Sequence, residues 1–196
     1  MKIDINYLKA HYNLSGKRVA VLATDGFEQS ELDVPVEALR GCGAQVDIVA
    51  PAAGTICGWS DQNWGEKRKV DKVLSEVSAD GYHSLVLPGG VLNSDKLRTI
   101  PDAVEFAREF FEQHKPVAAI CHAGQLLIEG DLVEGRTLTS YHSIRVDLEN
   151  AGATWEDSSV VVDQGLTTSR SPEDLADFCD KLCEEILEGT HRVQHA

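Results

Sequence analysis

Basic residues are scarce in this 196-residue chain: 18 Lys and Arg stand against 32 Asp and Glu, a formal net charge of −14. Sequence-independent nucleic-acid binding needs clustered Lys and Arg to displace counterions, so it is not expected here. Adsorption to an anionic membrane surface is disfavoured for the same reason. Long apolar runs are missing as well, and none approaches the roughly 18–20 residues of a membrane-spanning helix. The opening segment, MKIDINYLKAHYNLSG, has neither the apolar core nor the small-residue cleavage site of a secretory signal. The five cysteines, at 42, 57, 121, 179 and 183, are odd in number and contain no C-x-x-C. That argues against a disulfide framework or a zinc knuckle, and a reducing cytoplasm is the expected location. No internal repeat, low-complexity stretch or interdomain linker interrupts the chain. The expected organisation is an extension over 1–16, either a short docking helix or a frayed segment, then a single domain over 17–190 and a tail over 191–196.

What is present is a regular alternation of strand and helix signals. Val19-Ala20-Val21-Leu22-Ala23 is a short continuous apolar run ending at Asp25-Gly26, as suits a strand buried on both faces. Ser30 to Arg40 carries apolar residues at 32, 34, 36 and 39, with Gly41 as a stop, and predicts a helix. Val46–Ala50 predicts the next strand, and the three together have the size of a strand–helix–strand unit. Gly54–Gly58 reads as a turn or small hairpin, followed by an alternating charged stretch over 67–73. Leu85-Val86-Leu87 then runs into Pro88-Gly89-Gly90. Pro101 opens a helix over 102–114. Val117–Ile120 predicts a strand that runs directly into Cys121-His122-Ala123-Gly124, and a helix over 125–129 follows. Extended stretches at 137–139, 160–162 and 166–169, a helix near 144–150 and a final helix over 173–187 complete the reading. The fold class expected is α/β, a doubly wound, mostly parallel sheet sandwiched by helices.

Within that pattern Cys121 is the sharpest chemical feature. It stands where a buried strand meets a helix, the position of a nucleophile elbow. A helix amino terminus there favours thiolate over thiol and lowers the pKa below the usual value. The residues alone leave a buried structural cysteine as an equal reading. Gly90 and the amide of His122 can form an oxyanion hole, although a Gly-Gly pair is also ordinary turn punctuation. Glu28 follows the first strand, where open α/β sheets place ligands, and can donate a hydrogen bond to sulfur when protonated or simply serve the helix dipole. His122 is a general base or an imidazolium partner, with His142 a rival and His83 expected at the surface. Asp95 is either a helix cap or the acid that orients the histidine. Cys179 and Cys183 share a face of the last helix and read as core. Cys42 flanks a helix end, and Cys57 in a Gly-rich loop is open to oxidation. The tail holds His191 and His195, but nothing nearby in sequence completes a metal set. It is expected to fray, and no metal or cofactor is expected.

Taken together, Val117-Ala118-Ala119-Ile120-Cys121-His122, Leu85-Val86-Leu87-Pro88-Gly89-Gly90 and Gly26-Phe27-Glu28 resemble the ThiJ/PfpI superfamily. Cysteine followed by histidine resembles its PfpI branch. The match runs in order over about residues 17–187 and includes Thr139-Ser140-Tyr141 and Ser169-Arg170-Ser171-Pro172. The resemblance implies a flavodoxin-like architecture akin to the class I glutamine amidotransferase domain, and an assembly of at least two copies. It implies Cys121 as nucleophile, His122 as its partner, Glu28 as the carboxyl on the sulfur, and Gly90 with the His122 amide as the oxyanion hole. Asp95 falls where the PfpI peptidases have an acid that completes a triad from a neighbouring subunit. Two features depart from the pattern: Ala123-Gly124 stands where Gly-Pro is common, and Asp95 is shorter than the usual Glu. The function expected is a stress-protective cysteine-nucleophile hydrolase. Its substrates are glyoxal or methylglyoxal adducts, as a deglycase or glyoxalase, or else peptides. The small carbonyl is preferred because an aldehyde is already electrophilic. The alternative is an oxidation-sensing protein in which Cys121 is reversibly oxidised without turnover.

Overall fold

Alternate residues of the first strand face opposite sides of a sheet, and in this sequence both sides are apolar. In the computed structural model, which describes residues 3–192 and 194, Val19 and Val21 pack into one core while Ala20 and Leu22 pack into a second. That is the period of two of an extended chain, with helices available to cover both faces.

The elements run α1 (Ile5–His11), β1 (Arg18–Leu22), β2 (Phe27–Glu28), α2 (Gln29–Gly41), β3 (Gln45–Ala50), β4 (Thr55–Ser60), β5 (Asn63–Lys69), β6 (Lys72–Val73) and β7 (Ser84–Leu87). Then follow α3 (Val91–Arg98), α4 (Pro101–Glu112), β8 (Val117–Ile120), α5 (Gly124–Glu129), β9 (Thr137–Leu138), α6 (Arg145–Asn150), β10 (Thr154–Trp155), β11 (Val160–Asp163), β12 (Leu166–Ser169) and α7 (Leu175–Glu188). The main sheet has the order β11-β12-β8-β7-β1-β3-β6. Every pairing in it is parallel except β11 with β12. The chain moves outward from β1 in both directions, so the carboxyl ends of β1, β7 and β8 border the crevice where such sheets hold ligands.

The charged alternation at 67–73 becomes the outer arm of a hairpin, β4 with β5. Its two turn residues, Asp61 and Gln62, both have positive φ, as a tight hairpin turn of matching twist requires. One helix, α3, is absent from the periodicity reading. It buries Asn93 and Ser94 beside Leu97 and exposes Val91 and Leu92, so its first turn inverts the usual polarity.

The extension is not loose. Asp4 caps α1 by accepting from the Asn6 and Tyr7 amides, α1 packs on α2, and Leu8 and Leu14 join the core beneath α2 and α7. The expected frayed tail is corrected in the same way. His191 donates its amide to the His114 carbonyl at 2.8 Å, His114 Nδ1 meets the Gln194 carbonyl at 2.8 Å, and Gln194 is buried. His195 lies outside the described residues. Among the described residues no helix is long and apolar enough to cross a membrane.

Candidate active site

β8 ends at Ile120, and the backbone reverses at Cys121 with φ of +64°. A residue with a Cβ in that region carries strain of order 1–3 kcal/mol, which the surrounding structure has to impose. A single turn of 3₁₀ helix over Cys121–Ala123 leads into α5. The Tyr141 amide holds the Cys121 carbonyl at 3.0 Å. The bend lifts the thiol out of the sheet toward the crevice, leaving the residue 8% exposed.

Three elements converge on that sulfur. His122 places Nδ1 3.2 Å from Sγ, although the two residues are sequence neighbours, because the turn between them is not regular helix. Backbone N–H groups of Gly90 and His122 are directed at the sulfur, the pair expected to form an oxyanion hole. The Pro88-Gly89-Gly90 loop that supplies one of them is fixed from below. Buried Asn93 donates to the carbonyls of Pro88 (2.9 Å) and Gly89 (3.1 Å) and accepts from the Thr24 amide (2.7 Å). Asn93, on the inward face of α3, is thus spent on loop backbone.

The carboxyl on the sulfur belongs to Glu31, which corrects the expectation for Glu28. Glu31 is fully buried, and its Oε2 accepts the Gly89 amide at 2.9 Å while the carboxyl engages the Cys121 thiol. Glu28 instead precedes α2, where its Oε1 accepts from Ser30 Oγ at 3.1 Å. The turn Asp25-Gly26 and the two residues of β2 delay the helix, and its rotation turns residue 31 inward. A signal was available, since Glu31 is spaced four and seven residues from Pro35 and Ala38 on the buried face of α2.

Electrostatics push all three groups toward their neutral forms. Burial first, and the charge of Glu28 second, raise the Glu31 carboxyl to about 8 despite the Gly89 N–H bond. Burial and then the Glu31 charge raise the Cys121 thiol, against the pull of the Gly90 and His122 N–H groups. The expected lowering of the thiol is therefore reversed in this chain: desolvation outweighs a short turn of helix. Burial, then the charge of His142, lowers His122. One negative charge at most fits between Cys121 and Glu31. With the proton on Glu31, the carboxyl that engages Cys121 becomes an O–H donor for the sulfur.

The other expected site residues fall as follows. His122 Nε2 lies 3.1 Å from Ser143 Oγ, and its ring stacks on Tyr141 at 4.8 Å. Ser143 was not anticipated, because a serine in a loop has no distinguishing spacing. His142 is exposed and tilts against Tyr141. Asp95 is exposed in the middle of α3 and hydrogen-bonds neither Cys121 nor His122 within the chain. It caps no helix, since Gly90 occupies that position of α3. His83 is at the surface, where its Nδ1 accepts the Arg18 amide. Cys42, Cys179 and Cys183 are core residues, and Cys57 is half-buried with Sγ 3.4 Å from the Gly65 carbonyl.

Residues 17–185 match the DJ-1/PfpI family. YraA of Bacillus subtilis (strain 168), whose name marks it as a candidate cysteine protease, is 45% identical over 163 residues, 83% of this chain and 94% of that protein. Protein/nucleic acid deglycase 2 of Escherichia coli (strain K12) is 42% identical over 164 residues, 83% of this chain and 93% of its own length. Drosophila melanogaster DJ-1beta superposes with a TM-score of 0.80 at 28% identity, covering 87% of this chain and 90% of that one. The sequence match, the shared architecture and the cysteine elbow lead to one conclusion: this chain belongs to the DJ-1/PfpI family.

Proposed function

We propose that the protein is a Cys121-dependent hydrolase of reactive-carbonyl adducts, with methylglyoxal and glyoxal as the substrate class. The observation that carries this reading is the strained Cys121 held 3.2 Å from a neutral His122, beneath the Gly90 and His122 N–H groups. That arrangement suits addition of a thiol to a carbonyl. The Sγ–C bond forms, the thiol proton passes to His122 Nδ1, and the carbonyl oxygen takes its charge between the two N–H groups. For methylglyoxal, the C1 proton then moves to C2 while His122 gives its proton to the C2 oxygen, leaving a thioester at C1. Water releases it as lactate and restores the thiol. The burial of Cys121, only 8% exposed, favours a compact aldehyde over a folded peptide segment. Relatives named for a deglycase and for a cysteine protease support the two substrate branches in turn. Incubation with methylglyoxal should produce lactate in the wild type and none above background in Cys121→Ser. Lactate from the variant, or cleavage of peptides without any dicarbonyl turnover, would overturn the preference.

Asp95 is proposed to complete the site from a second copy of the chain. It is exposed on α3 beside Val91 and Leu92, which are 57% and 50% exposed, an apolar pair suited to self-association. Within one chain, Ser143 holds the outer nitrogen of His122. Asp95→Asn is expected to lower kcat about tenfold while the sedimentation profile stays that of the wild-type oligomer. A monomeric wild-type protein with full turnover would remove the role.

A further inference from the structure

At the far end of the sheet from the thiol, α7 stops at Gly189, whose φ of +91° reverses the chain. The reversal folds the tail back over the last turn of the helix. It brings His191 to Glu185 and Glu188, so that one ligand atom from each lies within 4.8 Å of the other two. Among the described residues this is the group of metal-capable side chains that converges in this way.

Two independent observations point to a bound ion. His191 Nε2 and Glu185 Oε2 are 3.0 Å apart, yet both are buried and neither completes a hydrogen bond. A carboxylate oxygen and an imidazole nitrogen this close need positive charge at the pair, either a bound cation or the imidazole's own proton. In addition, Gln194 is 0% exposed and leaves both Oε1 and Nε2 without partners. Its Oε1 and the same imidazole both face Gly165: a Cβ there would lie 2.8 Å from His191 Cδ2 and 3.1 Å from Gln194 Oε1.

We propose that Glu185, Glu188 and His191 bind a single divalent cation of the zinc and manganese class, with Gln194 Oε1 as a fourth donor. An imidazole nitrogen with carboxylate and amide oxygens, and no thiolate, selects borderline to hard divalent ions. A cation about 2.1 Å from two adjacent ligands of an octahedral site sets those ligands about 3 Å apart, as Glu185 and His191 are. The two carboxylates balance its charge. Its role is to staple the tail. The ion ties the segment after Gly189 to α7, and the His191 and Gln194 backbone bonds to His114 extend the tie to the end of α4. Gly165 and the tail lie at the amino end of the β8–β12 pair, whereas Cys121 lies at the carboxyl end, four residues or about 13 Å along the strand. The site is structural and separate from the thiol chemistry.

The test is calorimetric titration of the chelator-treated full-length chain with zinc chloride, in the Cys121→Ser background so that the elbow supplies no thiolate. One equivalent is expected to bind with a Kd of about 10 μM or tighter, with a rise in Tm. Glu188→Gln and His191→Gln are each expected to weaken binding at least about tenfold. Glu188 is exposed, so its variant keeps the fold even if His191→Gln loosens the tail. Absence of saturable binding would reduce the cluster to an imidazolium–carboxylate pair and overturn the proposal. Zinc binding that is unchanged in both Glu188→Gln and His191→Gln would do the same.

Discussion

Glu31→Gln is expected to remove a large loss of stability that the wild-type protein undergoes between about pH 4.5 and pH 8. The native Glu31 keeps its proton up to about 8, whereas the unfolded residue releases it near 4.5. Over that interval the native state binds more protons, so rising pH favours unfolding. The contribution is fully present below 4.5 and is lost as pH rises through the folded value. Moving from 4.5 to about 8 corresponds to about 5 kcal/mol at roughly 1.36 kcal/mol per pH unit. For a chain of this size that is about 10–20 °C in Tm. Glutamine cannot ionise, and its amide can still accept from Gly89 and donate to the sulfur. Thermal melts of both proteins at pH 5 and pH 9 should therefore diverge at the higher pH, with the variant the more stable there. Parallel curves would show that Glu31 ionises normally. The same change should alter Cys121 reactivity. Above pH 8 the wild-type carboxylate opposes thiolate formation, so iodoacetamide alkylation of Cys121 should climb more steeply with pH in the variant than in the wild type.

Gly90→Ala is expected to be the most damaging single-methyl change in the crevice. The residue has φ of +92°, and an added Cβ would press on the Gly26 carbonyl oxygen and stand 2.6 Å from the Glu28 amide nitrogen and 3.0 Å from the Phe27 carbonyl carbon. All of these are backbone atoms, which cannot swing away as a flexible side chain does. Conformational strain and overpacking add to a cost on the order of 3 kcal/mol or more. The displaced loop also moves the Gly90 N–H from the sulfur, so turnover should fall with stability. Gly54→Ala is the control: φ is +112°, but nothing lies within 4 Å of the added Cβ. Its cost is conformational alone, on the order of 1–3 kcal/mol, without the overpacking added at Gly90. Equal denaturation midpoints for the two variants would show that the loop is soft and that close approach is not what Gly90 provides.

The strand–helix alternation was legible because each central strand is apolar on consecutive residues and the long helices have clear start and stop signals, such as Pro101 and Gly41. The elbow was legible because Val117–Ile120 runs without a break into Cys121-His122. α3 was not, because Leu97 is its one apolar buried position: Asn93 and Ser94 are polar, and Asn93 serves loop carbonyls instead of the core. Periodicity registers hydrophobic faces, and this helix places Val91 and Leu92 outside.

The sequence by itself determined the layered α/β plan, the cysteine at the bend and the glycines that approach it, since these depend on local periodicity and on backbone conformations that few residues adopt. Tertiary structure alone decided which acid meets the sulfur, because a two-residue strand and the angular phase of α2 turn Glu31 inward and leave Glu28 at the helix start. It also decided the ionisation of the site. A helix end read from sequence predicts a lowered thiol pKa, but the depth of burial comes from elements far apart in the chain, and desolvation is the larger effect. The tail follows the same rule: only the reversal at Gly189 brings His191 onto the helix that carries Glu185 and Glu188.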